Sequence, residues 1–208
     1  TELPGSRPIE FEPELGEDLG RLREWARENV VKLLVFCHPD DDDKTAKMQV
    51  ARVKRLFTAA RRNGLEFLLE IIPSKVGLVD DDNSATLIQS FYDAGVYPDW
   101  WKLEPFKTTA AWQNAVDAIE RSDPRTRGIV VLGLDAPEAE LAASFALAGK
   151  QPLVKGFAVG RTIFGDAARA WLAGKITDGE AVAEMAENYQ RLCGIWDTAR
   201  KKALEEVA

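Results

Sequence analysis

The run EFLLEII at residues 66–72 is short and almost continuously apolar, with Glu70 as a carboxylate in its interior. A run of this length without alternation of apolar and polar residues is typical of a β-strand that is buried on both faces of a parallel sheet. Runs of the same kind recur along the chain. The predicted strands are 32–37, 66–72, 100–103, 128–132 and 156–159.

Segments with apolar residues at helical spacing separate these strands. Strict alternation of strands and helices implies a parallel sheet with crossover helices on its outside. Two architectures fit this pattern, a doubly wound open sheet and a (β/α)8 TIM barrel. A further helix is predicted ahead of the first strand. The predicted helices are 19–29, 44–62, 83–94, 108–120, 137–147, 163–172 and a last one from about 180 past 200.

The placement of glycines and polar residues favours the barrel. Gly133 and Gly160 follow the last two predicted strands, where barrels commonly bind phosphate. The first strand is not followed by the G-x-G-x-x-G motif of dinucleotide-binding folds. Because a barrel has eight strands, we expect this chain to hold about the last five β/α units of one partial α/β barrel domain, 1–208, with an irregular lead-in at 1–15.

Composition excludes several classes of function. The net charge is −7 and the sequence has no basic stripe, so we expect no nucleic-acid partner. No apolar run reaches the length of a membrane span, and we therefore expect no membrane partner and a cytoplasmic location. Cys37 and Cys193 are too isolated to suggest a disulfide framework or a metal knuckle.

His38 is the single histidine, which argues against sites built on several imidazoles, including most catalytic zinc sites. We expect no metal ion and no cofactor. The acidic run 40–43 could recruit Mg²⁺ or could cap the helix that begins near residue 44, and the capping interpretation is favoured. His38 lies at the end of the first strand and is a candidate substrate contact.

Lys102, in the stretch PDWWKLEP at 98–105, is the strongest candidate for chemistry. Burial of an amine favours its neutral form, which attacks ketones and aldehydes. Glu70 is a carboxylate in an apolar strand and needs a partner, and Lys32 opens the first strand. If the strands are neighbours, the three groups meet. Each group could also have a purely structural role. Glu70 could form an ion pair, and Lys32 and Lys102 could lie at strand ends with their amines in water.

Two further residues, Glu104 and Arg161, are candidates for binding. Glu104 follows Lys102 by two positions, which strand alternation places on the same face, although it could instead cap the following turn. Arg161 starts a helix beside Gly160 and could hold a phosphate together with backbone N–H groups. It could equally cap the C-terminus of a neighbouring helix.

FLLEII (67–72) and WWKLEP (100–105) resemble strand motifs of the class I tagatose-1,6-bisphosphate aldolase family. VKLLVF (31–36) resembles the strand of that family with an auxiliary lysine, and VGRTIF (159–164) its last phosphate-binding turn. The resemblance implies a Schiff-base role for Lys102, acid/base catalysis by Glu70, a second lysine at Lys32, and phosphate binding by Gly160 and Arg161.

Five longer motifs extend over much of the chain: PGSRPIEFE (4–12), VFCHPDDDD (35–43), PDWWKLEP (98–105), GIVVLGLDAP (128–137) and VKGFAVGRTIF (154–164). They resemble the aldolase-like domain that is fused behind a 5-dehydro-2-deoxygluconokinase in bacterial inositol catabolism. The resemblance implies retro-aldol cleavage of 2-deoxy-5-keto-gluconate 6-phosphate to dihydroxyacetone phosphate and malonate semialdehyde, with a sugar kinase as fusion or association partner. That domain also has an N-terminal part, with early strands, that this sequence lacks. Exposed strand edges would then favour a homo-oligomer.

Other functions fit parts of the pattern. A metal-dependent aldolase is disfavoured by the single histidine. A sugar-phosphate isomerase or epimerase would use Glu70 as a base with no covalent step. A module without catalytic activity could bind sugar phosphates and regulate a fused kinase.

Overall fold

A computed structural model describes residues 1–134 and 136–206 of the chain. Its five strands form one sheet in the order β1-β2-β3-β4-β5. β2 pairs in parallel with both β1 and β3. The predicted α/β fold with a parallel sheet is therefore confirmed. The strands are β1 (Val30–Val35), β2 (Glu66–Ile71), β3 (Trp100–Leu103), β4 (Gly128–Leu132) and β5 (Val154–Ala158).

A helix connects each strand to the next, and two helices follow the last strand. Most bounds lie within two residues of those predicted, because the apolar spacing and the glycines after the helices mark them well. The helices are α1 (Asp43–Arg62), α2 (Asn83–Asp93), α3 (Thr109–Ser122), α4 (Glu138–Ala148), α5 (Arg161–Leu172) and α6 (Asp178–Glu205).

The acidic run before α1 starts the helix. Asp42 is the N-cap residue, and its carboxylate accepts hydrogen bonds from the backbone N–H groups of Lys44 and Thr45. Hydrogen bonds from Thr45 hold the pKa of Asp42 below its usual value. The capping interpretation is confirmed for this residue, since a carboxylate at this position satisfies backbone donors that the first helical turn leaves unpaired.

The helix predicted at 19–29 is wrong. Only Gly20–Glu24 forms a 3₁₀ turn, and Leu19 before it has a left-handed backbone with φ of 59°. Leu19 and Leu22 are buried, but Trp25 is only half-buried and Ala26 is exposed. Helical spacing alone was therefore not sufficient to predict a helix here, because only two of the four apolar residues are buried.

The chain forms two compact units. The first comprises Thr1–Leu103 and Ala110–Ile129. The second comprises Glu104–Thr109 and the described residues from Val130 onward.

In the first unit, one face of the sheet is the core. The side chains of Leu33, Leu69 and Trp101 on this face have no exposed surface. The indole N–H of Trp101 donates a 2.8 Å hydrogen bond to the hydroxyl of Tyr92 in α2. Burial raises the pKa of Tyr92, which keeps this hydroxyl neutral.

The opposite face of these strands is only half-buried. Leu34 and Leu68 lie on it and are partly exposed. The expectation that the strands are buried on both faces is therefore wrong for β1 to β3. A strand with apolar residues on both faces can still have one face that other residues cover only in part, and the sequence pattern does not show this.

In the second unit, α6 packs against α4 and α5. Phe145 of α4 stacks on Phe157 of β5 with ring centres 5.1 Å apart and meets Trp196 of α6 edge-on at 5.6 Å. Arg200 of α6 donates two hydrogen bonds to carbonyls that follow α4. Aromatic packing and these hydrogen bonds thus hold α6 in place. No helix in the described ranges is both long enough and apolar enough to cross a membrane.

Substitutions in β1 distinguish its two faces. Leu33→Ala removes a fully buried side chain, so we expect the free energy of unfolding to fall by about 2–5 kcal/mol. Leu34→Ala, one residue away on the half-buried face, is the matched control. We expect it to cost less than half as much in chemical denaturation. Equal losses would contradict the assignment of the two faces.

Candidate active site

Strand register brings three of the predicted residues together in the first unit. Glu70 of β2 lies opposite Lys102 of β3 on one side and opposite Leu34 of β1 on the other. Lys32 lies two positions before Leu34, so its side chain points to the same face of the sheet. Parallel pairing and the two-residue period of strands are enough to produce this cluster on the half-buried face.

Glu70 lies between the two lysines. One carboxylate oxygen, Oε1, is 3.2 Å from Nζ of Lys102, and the other, Oε2, is 3.3 Å from Nζ of Lys32. The Glu70 side chain is 3% exposed, that of Lys102 16% and that of Lys32 39%. The site is thus a buried carboxylate between two amines that solvent reaches to different extents.

One oxygen of Glu70 keeps a capacity to accept a hydrogen bond. Oε2 is buried, and within the described ranges no group lies in hydrogen-bond geometry with it, although the ion pair with Lys32 remains. A buried carboxylate oxygen that lacks a donor is costly and uncommon. A hydroxyl group or a water molecule beside Oε2 would donate the missing hydrogen bond. An acid/base residue needs a substrate hydroxyl within such hydrogen-bond distance.

Glu2 is a fourth member of the cluster that the sequence did not reveal. Its Oε1 accepts a 2.6 Å hydrogen bond from Nζ of Lys32. The hydroxyl of Thr1 donates to the backbone carbonyl of Lys32. Glu2 lies in the irregular lead-in, where no periodicity links it to β1, so no pattern in the sequence could have indicated the contact.

Opposing effects act on the carboxyl group of Glu2. Burial raises its pKa, but the hydrogen bond and the positive charge of Lys32 outweigh this, and the pKa lies below the ordinary value of 4.5. A carboxyl group whose pKa is lowered by folding stabilises the folded state above its unfolded pKa. This contribution is lost as the pH falls from about 4.5 through the lower folded value.

We expect Lys32→Met to raise the pKa of Glu2, because burial then acts without the opposing charge. A ¹³C NMR titration of the Glu2 carboxyl measures it directly. Lys75→Met, which removes an exposed lysine of the same unit, is the control and should leave the Glu2 titration unchanged. A Glu2 pKa that does not respond to Lys32→Met would show that the two groups do not interact in solution.

His38 is buried in the loop after β1. Its Nδ1 accepts a hydrogen bond from the backbone N–H of Asp40, and its Nε2 lies 2.8 Å from the carbonyl of Leu78. This pattern corresponds to the neutral tautomer with the proton on Nε2. The ring thus joins the loops that follow β1 and β2, and its predicted contact with substrate remains a prediction.

The other predicted binding residues lie in the second unit. Gly133 follows β4 and is close to the loop after β5: a Cβ atom placed on it would lie 2.8 Å from Cγ1 of Val159. The hydroxyl of Thr162 donates to the carbonyl of Ala136. A side chain at position 133 would therefore push these two loops apart. Asp135, within the GIVVLGLDAP motif, lies outside the described residues.

Gly160 and Arg161 form the start of α5. The carbonyl of Gly160 accepts hydrogen bonds from Ile163 and Phe164, and Arg161 is the exposed first residue of the helix. Glu104 is buried and comes directly after the end of β3, and its place on the face of Lys102 stays a prediction. Helix starts of this kind can bind anions, and phosphate binding by Gly133, Gly160 and Arg161 stays a prediction.

Among residues 1–134 and 136–206, no three His, Cys, Asp or Glu side chains are arranged to hold a metal ion. The four groups Glu2, Lys32, Glu70 and Lys102 form instead a row of alternating charge. Such a row can exchange protons and offers an amine for reaction with a carbonyl.

Comparisons with known proteins agree with this fold. The family model described as "Uncharacterized protein conserved in bacteria (DUF2090)" matches residues 1–200. No curated protein matches the chain in sequence.

Among solved structures, the chain is similar to fructose-bisphosphate aldolase from Plasmodium falciparum, determined in complex with TRAP and a small-molecule inhibitor. The TM-score is 0.61 at 16% sequence identity, and the match covers 87% of this chain. It spans 60% of the aldolase chain. The likeness shows an aldolase-like TIM-barrel fold.

Proposed function

This chain belongs to the DUF2090 family of bacterial proteins, and we propose that it is a Schiff-base aldolase that cleaves a ketose phosphate. Lys102 is the nucleophile, Glu70 the acid/base residue and Lys32 the second lysine of the site. The observation that carries the proposal is the position of Glu70, whose two oxygens lie 3.2 and 3.3 Å from the two amines.

A purely structural role explains this arrangement poorly. Ionic groups on a sheet face lose hydration when they are covered, and apolar residues of similar volume commonly stabilise a protein as well or better. The neighbouring Leu34 and Leu68 show that this face accepts apolar side chains. Two lysines that converge on one carboxylate, with the lysines partly open to solvent, are better explained by chemistry.

In the proposed first step, Glu70 accepts a proton from the Lys102 ammonium through the existing 3.2 Å contact. The neutral amine attacks the substrate ketone and forms a carbinolamine. Glu70 then returns the proton to the carbinolamine oxygen, which leaves as water, and a protonated imine remains on Lys102.

In the second step, Glu70 removes the proton of the substrate hydroxyl β to the imine carbon. The C–C bond breaks, its electron pair moves toward the imine nitrogen to give an enamine, and an aldehyde leaves. Glu70 protonates the enamine carbon, and water then hydrolyses the protonated imine to release the second product and the ammonium group of Lys102. Protons and electrons balance without an external oxidant or reductant.

For the substrate, the resemblance of the long motifs supports 2-deoxy-5-keto-gluconate 6-phosphate. Cleavage between C3 and C4 of this compound gives dihydroxyacetone phosphate and malonate semialdehyde. The phosphate would bind at the turns of Gly133 and of Gly160 with Arg161. A sugar kinase, fused or associated, would supply a phosphorylated substrate of this kind.

Borohydride trapping tests the covalent step. The 208-residue chain is incubated with dihydroxyacetone phosphate, reduced, and analysed by intact mass and peptide mapping. We expect a reduced adduct on Lys102. Absence of any adduct, at ligand concentrations that demonstrably bind, would reject the aldolase proposal. Turnover without an adduct would then indicate an isomerase or epimerase that uses Glu70 as base, and binding alone a regulatory module.

A further inference from the structure

The two amines beside Glu70 are almost equivalent in distance, yet only one can be the nucleophile. Oε1 and Oε2 of Glu70 lie 3.2 Å from Lys102 and 3.3 Å from Lys32. Lys32 is also the more exposed of the two. Distance and solvent access alone would therefore not direct carbonyl chemistry to Lys102.

Glu2 distinguishes the two lysines. It accepts a 2.6 Å hydrogen bond from Lys32, which thereby contacts two carboxylates. In the first unit, Glu70 is the one carboxylate that pairs with Lys102. A second carboxylate at this distance favours the charged form of an amine. A charged amine is not a nucleophile toward carbonyls.

The geometry points to Glu2 as a positioning residue that holds the amine of Lys32 in a second ion pair and so leaves Lys102 as the amine that reacts. The inference rests on the proposed aldolase function for its catalytic meaning, but the effect of Glu2 on Lys32 does not depend on it. The charged groups that face Lys32 are Glu2 from the lead-in segment and Glu70 from β2, with Lys102 beyond Glu70.

The lead-in segment holds Glu2 in place by several contacts. The backbone of Leu3 pairs with that of Glu10, and Glu2 forms an antiparallel bridge with Phe11. The buried Gln49 of α1 accepts a hydrogen bond from the backbone N–H of Ile9 and donates one to the carbonyl of Phe36. The segment is thereby joined both to α1 and to the loop after β1. The contact between Glu2 and Lys32 therefore belongs to an ordered segment.

The test is competitive acetylation with a trace of acetic anhydride at mildly alkaline pH. Peptide mass spectrometry then gives the relative rate of modification of each lysine. In Glu2→Gln we expect the rate at Lys32 to rise about three- to tenfold, because the amine loses the hydrogen bond and the negative charge of Glu2. The rate at Lys102 should change less than about twofold, and that at the exposed Lys75 should not change.

Two variants make the result specific. Glu10→Gln changes an exposed glutamate of the same segment and should leave all rates as in the original chain. Glu2→Asp keeps the charge and should recover most of the protection of Lys32. An unchanged Lys32 rate in Glu2→Gln would overturn the inference, and so would an equal rise in Glu10→Gln.

Borohydride trapping separates this inference from the proposed function. The original chain should carry the adduct on Lys102, and Glu2→Gln should divide it between Lys102 and Lys32. If the original chain gives no adduct while Lys32 acetylation rises in Glu2→Gln, the aldolase proposal fails and the role of Glu2 stands. If Lys102 is trapped but Lys32 does not respond to Glu2→Gln, the inference fails alone.

Discussion

Lys102→Ala abolishes cleavage of the ketose phosphate and the borohydride-trapped adduct, if Lys102 is the nucleophile as proposed. We expect kcat/KM to fall by at least about a thousandfold, since removal of an enzyme's nucleophile commonly costs this much or more. Lys102→Arg should be equally inactive, because a guanidinium keeps its charge and does not form an imine. The side chain of Lys102 is only 16% exposed, so the arginine variant also tests whether a larger cation fits.

Matched variants exclude a general loss of structure as the cause. Lys75→Ala removes an exposed lysine of the same unit and should keep full activity. Lys102→Met keeps an unbranched side chain of similar length and should fold while remaining inactive. Turnover that persists in Lys102→Ala, or an adduct mapped to another lysine in the original chain, would show that the nucleophile has been assigned wrongly.

Glu70→Gln is expected to lower stability as well as activity. It removes the charge between two amines and leaves both beside a neutral group on a partly covered face. Breaking a buried ion pair costs about 3–5 kcal/mol, and the exposure of Lys32 reduces the expected loss here to about 2–4 kcal/mol. For a chain of this length the melting temperature should fall by about 4–16 °C.

Glu66→Gln is the control for this measurement. Glu66 lies on the same strand and pairs with Arg127 at 2.6 Å and with the indole N–H of Trp100 at 3.1 Å. Because Arg127 is more than half exposed, we expect a loss below about 1 kcal/mol. If Glu70→Gln were no less stable than Glu66→Gln, the charge of Glu70 would not be needed to hold the two lysines.

A triple variant separates stability from function. Lys32→Met, Glu70→Leu and Lys102→Met together replace the ionic cluster by apolar groups of similar size. Such replacements are often neutral or stabilising, so the melting temperature should recover most of the loss seen in Glu70→Gln while activity stays absent. A triple variant as unstable as Glu70→Gln would indicate that the cluster is itself a structural requirement.

The order of strands and the meeting of Lys32, Glu70 and Lys102 could be predicted from the sequence. Short apolar runs separated by helices specify a parallel sheet, and the two-residue period of a strand fixes which side chains share a face. The observed register places Glu70 beside Lys102. These features depend on local patterns, which a sequence displays directly.

Features that depend on contacts between distant segments could not be predicted. Glu2 reaches Lys32 from a segment without periodic structure, and His38 is held by a carbonyl of the loop after β2. The helix predicted at 19–29 does not form. Of its apolar residues only Leu19 and Leu22 are buried, and the spacing of residues in the sequence does not show this. Local pattern thus located the three charged groups on the face of the sheet, but not the residues that contact them from distant segments.

The row of alternating charge determines how the total charge of the site changes during the proposed reaction. Two carboxylates and two ammonium groups sum to zero, and a proton that moves between Lys102 and Glu70 leaves that sum unchanged. Under the proposed chemistry, a protonated imine simply replaces the ammonium group. The total charge of these four side chains is therefore the same before and after the covalent bond forms, and the covalent step needs no counter-ion to enter or leave the sheet face.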